Sequence, residues 1–190
     1  MRDQLQRALA KAPGLLQGQR VVGLSSVGGG SVGSSWRVSL SDGQALFVKM
    51  ACDANLQAEQ AGLQALRRWA DLSLLEVPQV LGCLPLGEQS ALVMAWWDLS
   101  SGDQFSLGRG LARLHRLSFA EGPGRFGWDQ DGFIGLGPQP SGWRESWGEA
   151  FTQLRLHPQL CLARQWGLDA QDWEPLLESI AEWLNRHNPE

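Results

Sequence analysis

The sequence predicts an α+β protein, with an N-terminal antiparallel five-strand sheet and one main helix over residues 1–97, then a helical region over 98–190. Three observations predict it. Trp36, Val38 and Leu40 alternate with Ser35, Arg37 and Ser39, the period of two of a half-buried strand. The apolar runs Ala45–Lys49, Val77–Cys83 and Ser90–Trp96 are set off by the turn residues of Ser41-Asp42-Gly43 and Pro85–Gln89. After Trp97 the apolar residues recur at helical spacing, first as Leu107, Leu111 and Leu114.

Asp3–Ala12 carries Leu5, Ala8, Leu9 and Ala12 as a helical face, stopped by Pro13-Gly14. Arg20–Val27 is a strand entering a glycine-rich segment. Asp53 is expected to cap a helix over Ala54–Trp69, with Leu56, Leu63, Leu66 and Ala70 facing inward. Ser90–Trp96 is almost continuously apolar, which marks a central strand. A helix follows over Asp103–Leu117. Gly122–Gly142, rich in glycine and proline, is expected to be a long loop. Trp143–Leu154, Pro158–Trp166 and Ala170–Asn185 are expected to be helices. Their apolar faces are Trp147/Phe151/Leu154 and Trp173/Leu176/Leu177/Ile180/Leu184, and Trp143, Trp147 and Phe151 share one face at i, i+4, i+8.

With 190 residues, 43% of them apolar, the chain is long enough for one good-sized domain or two small lobes. A net charge of −4 and 19% charged residues argue against a nucleic-acid surface. Ten tryptophans stand against no tyrosine, and most are expected to anchor cores or interfaces. Cys52, Cys83 and Cys161 are too widely spaced for a zinc site or a disulfide framework and suit a reducing compartment. No run has the apolar length of a membrane span and the N-terminus lacks the pattern of a signal peptide, so the expected location is cytoplasmic.

The chemistry-bearing stretch is Val27–Lys49. Gly28-x-Gly30-x-x-Gly33 precedes a strand rather than a helix, which disfavours a dinucleotide fold, and no lysine follows Gly33, which disfavours a P-loop. Two readings stay open on these residues alone. One is a kinase-like loop whose backbone amides approach nucleotide phosphates, with Lys49 on the third strand as their point charge. The other is an ordinary glycine-rich hairpin with an exposed lysine. Glu59, one turn into the next helix, is either that lysine's partner or a solvated surface acid. Asp129-Gln130-Asp131-Gly132 lacks the downstream glutamate of a calcium loop and is taken as a turn. His115, His157 and His187 have no metal spacing, and no serine or cysteine has a recognisable base partner.

Phe126-Gly127-Trp128, Ile134-Gly135, Pro138-Gln139-Pro140, Trp143, Trp147, Phe151, and Arg155-Leu156 with Gln159-Leu160 form a specific series. With Gly28-Gly29-Gly30, Phe47-Val48-Lys49, Glu59, Val77-Pro78 and Leu92-Val93-Met94, the chain resembles the fructosamine/ketosamine kinases, relatives of the aminoglycoside and choline phosphotransferases. The resemblance implies a two-lobed, protein-kinase-like fold, with residues 1–97 as the nucleotide-binding lobe and 98–190 as an incomplete helical lobe. It implies ATP and Mg²⁺ as cofactors and a small-molecule ketosamine or glycated protein as substrate. Gly28, Gly29, Gly30 and Ser31 would then cover the phosphates, Lys49 would hold them and Glu59 would orient Lys49. The backbone of Met94, Ala95, Trp96 and Trp97 would meet the adenine as a hinge.

Family members continue into a His-Gly-Asp-Leu-Trp motif and a later metal-binding aspartate. This chain has no catalytic aspartate in that context, and the expected one lies beyond Glu190. Asp98, Asp129 and Asp131 are the remaining acidic candidates. The chain is therefore expected to be inactive by itself. The alternatives are a non-catalytic nucleotide-binding remnant and an aminoglycoside- or choline-type kinase.

Overall fold

The computed structural model describes residues 1–28, 33–167 and 173–187. The chain divides into two compact units, Met1–His115 and Arg116–Glu190.

In the first unit, helix α1 (Arg2–Ala10) precedes strands β1 (Val21–Val27), β2 (Ser34–Leu40) and β3 (Ala45–Ala51). Helix α2 (Asp53–Trp69), strands β4 (Val80–Leu86) and β5 (Gln89–Ala95) and helix α3 (Gln104–Ala120) follow. The five strands form one antiparallel sheet in the order β1-β2-β3-β5-β4. This is the α+β class expected from the sequence. Pro85, which has no N–H to give, sits in edge strand β4, where that loss is tolerated.

Alternation along the strands serves two cores. Leu46, Val48 and Met50 of β3 join Val38, Ala91 and Val93 in the core that includes Leu5 and Leu9 of α1. Ala51, Leu92 and Met94 pack on the other side with Leu56 of α2, supported by Phe47, Leu63 and Val80. Lys49 shares the parity of Phe47 and Ala51, so the strand register alone puts it on the α2 side.

Several expectations need correction. Cys52, extended at ψ 148°, is the N-cap residue of α2 and makes no side-chain cap bond; Asp53 is the first helical residue. Leu66 is 42% exposed, so the inward stripe of α2 is narrower than its leucines suggest. β4 begins at Val80 rather than Val77, and the turn shrinks to Gly87-Glu88. In α3, Leu107 and Leu111 are exposed and only Leu114 of the expected stripe is buried. Gly110, rather than a leucine, is the point of close approach: a Cβ there would lie 2.8 Å from the Leu75 side chain. With the Arg113–Asp71 ion pair at 2.8 Å, this ties the first part of α3 to the first unit. The compact units part at His115.

The second unit turns the expected loop into two nested ribbons. β6 (Phe126–Trp128) pairs with β9 (Gly142–Arg144), and between them β7 (Gly132–Ile134) pairs with β8 (Gly137–Gln139). Trp143 therefore lies in a strand and does not continue the Trp147/Phe151 helix face. Helix α4 (Trp147–Phe151) passes through one π turn (Thr152–Leu156) into α5 (His157–Ala163), a 3₁₀ turn (Arg164–Trp166) and later α6 (Glu174–His187). Gly148 lets α4 approach α6; its N–H donates to the Asn185 Oδ1 at 2.7 Å. On α6, Leu177, Ile180 and Leu184 are half-buried, while Leu176 is exposed and the face buries no residue fully. Among the described residues no helix is long and apolar enough to cross a membrane.

Candidate functional site

The cross-strand register assembles the site. Val27 pairs with Ser35, Ser35 with Lys49, Lys49 with Leu92 and Leu92 with Cys83, so these five residues form one row across the sheet. Lys49 is the cation in that row, directly across β2 from the two ends of the glycine segment. Its Nζ donates to the Glu59 Oε2 at 2.6 Å, joining β3 to α2. The side chains are 26% and 31% exposed, so water reaches both groups and leaves the ammonium able to meet a further anion. In the whole chain only Lys11 and Lys49 are lysines. A compact, flexible ammonium is thus placed in this row, although arginine serves elsewhere as the cation.

Of the predicted loop residues, Gly28 follows β1 and is exposed, while Gly29, Gly30 and Ser31 lie outside the described residues. Gly33, not assigned a role from the sequence, is the glycine that the backbone demands. It has φ +80°, and a Cβ there would lie 2.0 Å from the Met50 carbonyl oxygen; at Gly28 a Cβ would meet nothing within 4 Å.

Met94 and Ala95 end β5, and Met94 is buried. The Trp96 N–H is committed to the Ala45 carbonyl at 3.3 Å. Its indole N–H donates to Asp98 at 2.8 Å, and Arg37 stacks over the ring at 5.1 Å. Phe47 stands 6.4 Å from the same ring. The Arg37–Trp96–Phe47 arrangement was missed from the sequence. The signal available was parity, since Arg37 pairs with Phe47 across β2–β3.

The second unit uses its family-like residues as a scaffold. The rings of Phe119, Phe126, Trp147 and Phe151 follow one another at 5.2, 6.1 and 5.4 Å. Arg155 donates to the Pro140 carbonyl at 3.3 Å and Gln159 to that of Pro138 at 3.4 Å, so both clasp the β7–β8 ribbon. Burial lowers the Arg155 pKa from its ordinary value. The acidic candidates are engaged as acceptors. Asp129 takes the Trp143 indole N–H at 2.8 Å, and Asp131 takes the Ser141 amide at 2.7 Å. That amide bond holds the Asp131 carboxyl below its usual range. His157 places its ring nitrogens 3.7 and 3.9 Å from the Cys161 sulfur, a pairing the sequence reading did not expect. No group of three His, Cys, Asp or Glu that could hold a metal ion stands among the described residues. An open cavity of about 570 Å³ lies on the α1 side, lined by Gln4, Arg7, Lys11, Leu84 and Leu86 among others. It is on the face away from Lys49 and is separate from the Lys49–Glu59 site.

The family model for fructosamine kinase matches residues 1–190. A "Probable ketoamine kinase" of Synechocystis sp. is 32% identical over 168 residues, covering 86% of this chain and 55% of the relative. One from Klebsiella aerogenes is 32% identical over 170 residues, covering 85% and 56%. The chloroplastic protein-ribulosamine 3-kinase of Oryza sativa subsp. japonica is 32% identical over 151 residues, covering 77% and 43%. The chain thus spans about half the length of the curated relatives it matches. Among solved structures, a "Putative fructosamine-3-kinase" from Haemophilus somnus 129PT superposes with a TM-score of 0.77 at 23% identity, covering all of this chain and 63% of that one. Another from Thermobifida fusca YX-ER1 gives 0.72 at 29% identity, covering 96% and 63%. With its five-strand sheet, its Lys49–Glu59 pair and a family match along its whole length, this chain belongs to the fructosamine kinase family.

Proposed function

We propose that this chain carries the nucleotide-binding part of a cytoplasmic, ATP-dependent kinase that phosphorylates a sugar hydroxyl of a ketosamine, free or on a glycated protein. The observation that carries the reading is the Lys49–Glu59 pair at 2.6 Å, in the sheet row that begins at the glycine segment. A lysine held from behind by a glutamate presents a fixed positive charge to phosphate oxygens, and phosphoryl transfer depends on such positioning and charge stabilisation. In this reading Gly28–Ser31 cover the phosphates through their amides. Because the Trp96 N–H is spent on Ala45, the adenine contact falls to the other backbone groups of Met94–Trp97. The ketosamine substrate is supported by the names of the relatives, ketoamine kinases and a protein-ribulosamine 3-kinase.

Mg²⁺ is not given a ligand set by the described residues, and no step is routed through it. The 190 residues by themselves are proposed not to transfer phosphate at a kinase-like rate. Asp98, Asp129 and Asp131 support this, since none of them stands in a His-Gly-Asp context. A base that takes the substrate proton contributes about 10²–10⁴ in rate.

The test is calorimetric titration of the chain with ATP, beside an assay with ATP, Mg²⁺ and a fructosamine. Expected are saturable ATP binding, weakened at least about ten-fold in Lys49→Met, and no turnover. An unchanged affinity in Lys49→Met overturns the nucleotide reading. Turnover of roughly 1–100 per second overturns the inactivity.

A further inference from the structure

We propose that Asp53 and Ser90 form a positioning clip that holds helix α2 where Glu59 meets Lys49; its bearing on nucleotide binding rests on the function proposed above. Asp53 opens α2, yet its carboxylate is not spent on capping the helix, since the N-cap position belongs to Cys52. Instead its Oδ1 accepts from the Ser90 hydroxyl at 2.6 Å, and its Oδ2 accepts from the Gln57 amide. Ser90 is 4% exposed in β5, one of two fully buried polar residues among those described. A buried hydroxyl without an acceptor is costly, so the sheet itself favours Asp53 in this place.

The geometry gives the pair its role. Ser90 pairs with Ala51 and Leu92 with Lys49, so the clip lies one same-face row along the sheet from the ion pair. Residues 53, 56 and 59 follow one side of α2, with Leu56 fully buried between the two polar ties. The ties differ in kind. Lys49–Glu59 is open to water and has a second task, whereas Asp53–Ser90 is anchored on a buried hydroxyl and has none. Cys83 from β4 flanks the clip; burial, then the Asp53 charge, push its thiol pKa up against a hydrogen bond with Ser90 that lowers it. A simple first-turn acid, favourable to the helix dipole, would need no hydroxyl on β5.

The chain's two lysines make the test clean. The folded protein is treated with a water-soluble acylating reagent, and the rates at Lys49 and Lys11 are read by mass spectrometry, Lys11 serving as the internal reference. Loss of one charge-assisted hydrogen bond predicts a rise in the Lys49/Lys11 ratio of roughly ten-fold in Ser90→Ala and in Asp53→Ala alike. Glu59→Gln marks the released limit. In the double variant the ratio is expected to rise no further than in Asp53→Ala, which already removes the bond that Ser90→Ala removes. Asp53→Ala sits at the exposed end of the clip and keeps the test open should Ser90→Ala fail to fold; it also removes the acceptor of the Gln57 amide, and Gln57→Ala measures that part separately. An unchanged ratio in Asp53→Ala, or effects that multiply in the double variant, overturns the clip. ATP titration of the same variants separates the two proposals. A labelling response without ATP binding in the unsubstituted chain defeats the nucleotide reading alone. ATP binding without a labelling response defeats the clip alone.

Discussion

Replacing Gly33 by alanine should damage the site more than any substitution at Gly28. The residue sits at φ +80°, in the left-handed region, where an alanine costs about 1–2 kcal/mol. The added Cβ would lie 2.0 Å from the Met50 carbonyl oxygen and 3.1 Å from the Ala51 Cβ. The first contact is with backbone and cannot be relieved by a rotamer. The start of β2 must move off β3 by roughly 1 Å, which loosens the Ser34–Met50 pair next to Lys49. Losing one such sheet hydrogen bond adds about 1 kcal/mol. The sum is about 2–3 kcal/mol, a large part of the stability of a small domain. Gly28→Ala meets no atom within 4 Å and should stay within about 0.5 kcal/mol. Urea unfolding followed by circular dichroism measures both. Amide exchange at Ser35 and Met50 locates the effect. Equal midpoints for the two variants, or exchange unchanged at Met50, would refute the steric argument.

The second unit yields two more expected outcomes. Gly148→Ala would put a Cβ 2.2 Å from the Ala181 carbonyl oxygen and 2.6 Å from Asn185 Oδ1, so α4 and α6 should separate at a cost of about 1–3 kcal/mol; unaltered exchange protection along α6 would count against it. Asp131 is held below the ordinary carboxylate value by the Ser141 amide, so its contribution is present above the unfolded pKa and is lost as pH falls through the lowered folded one. The Ser141 amide resonance should therefore titrate below the ordinary aspartate range, and a transition within or above that range would refute the assignment.

The strands were legible because their apolar residues alternate. Leu46, Val48 and Met50 fall into one core, and Ala51, Leu92 and Met94 into the other, as a period of two dictates. The short ribbons were not, because three-residue strands such as Gly137–Gln139 are too brief for a period and are written in the residues of a turn. Trp143 shows how a spacing misleads: i, i+4, i+8 with Trp147 and Phe151 is a helix face only if the chain is helical throughout, and the indole–Asp129 bond keeps Trp143 in a strand. At the site, alternation alone puts Lys49 on the α2 side. Its pairing with Glu59 came from the family resemblance, since a helix glutamate carries no local sign of its partner. Asp53 was read as a cap because Asp at a helix start satisfies local amides; its actual partner, Ser90, is distant in sequence and becomes visible only once β5 is placed beside β3.

The single π turn at Thr152–Leu156 sets the rotational phase of α5. Its His157 amide reaches back to the Thr152 carbonyl, five residues earlier, so the helical path holds one residue more than an α-ladder would. Each residue turns a helix by about 100°. A one-residue deletion there would regularise the ladder and swing α5 round by that angle, carrying Gln159 away from the Pro138 carbonyl it now holds. The segment is therefore a frame-sensitive joint: a change of length by one would be transmitted to every side chain that α5 presents to the β7–β8 ribbon.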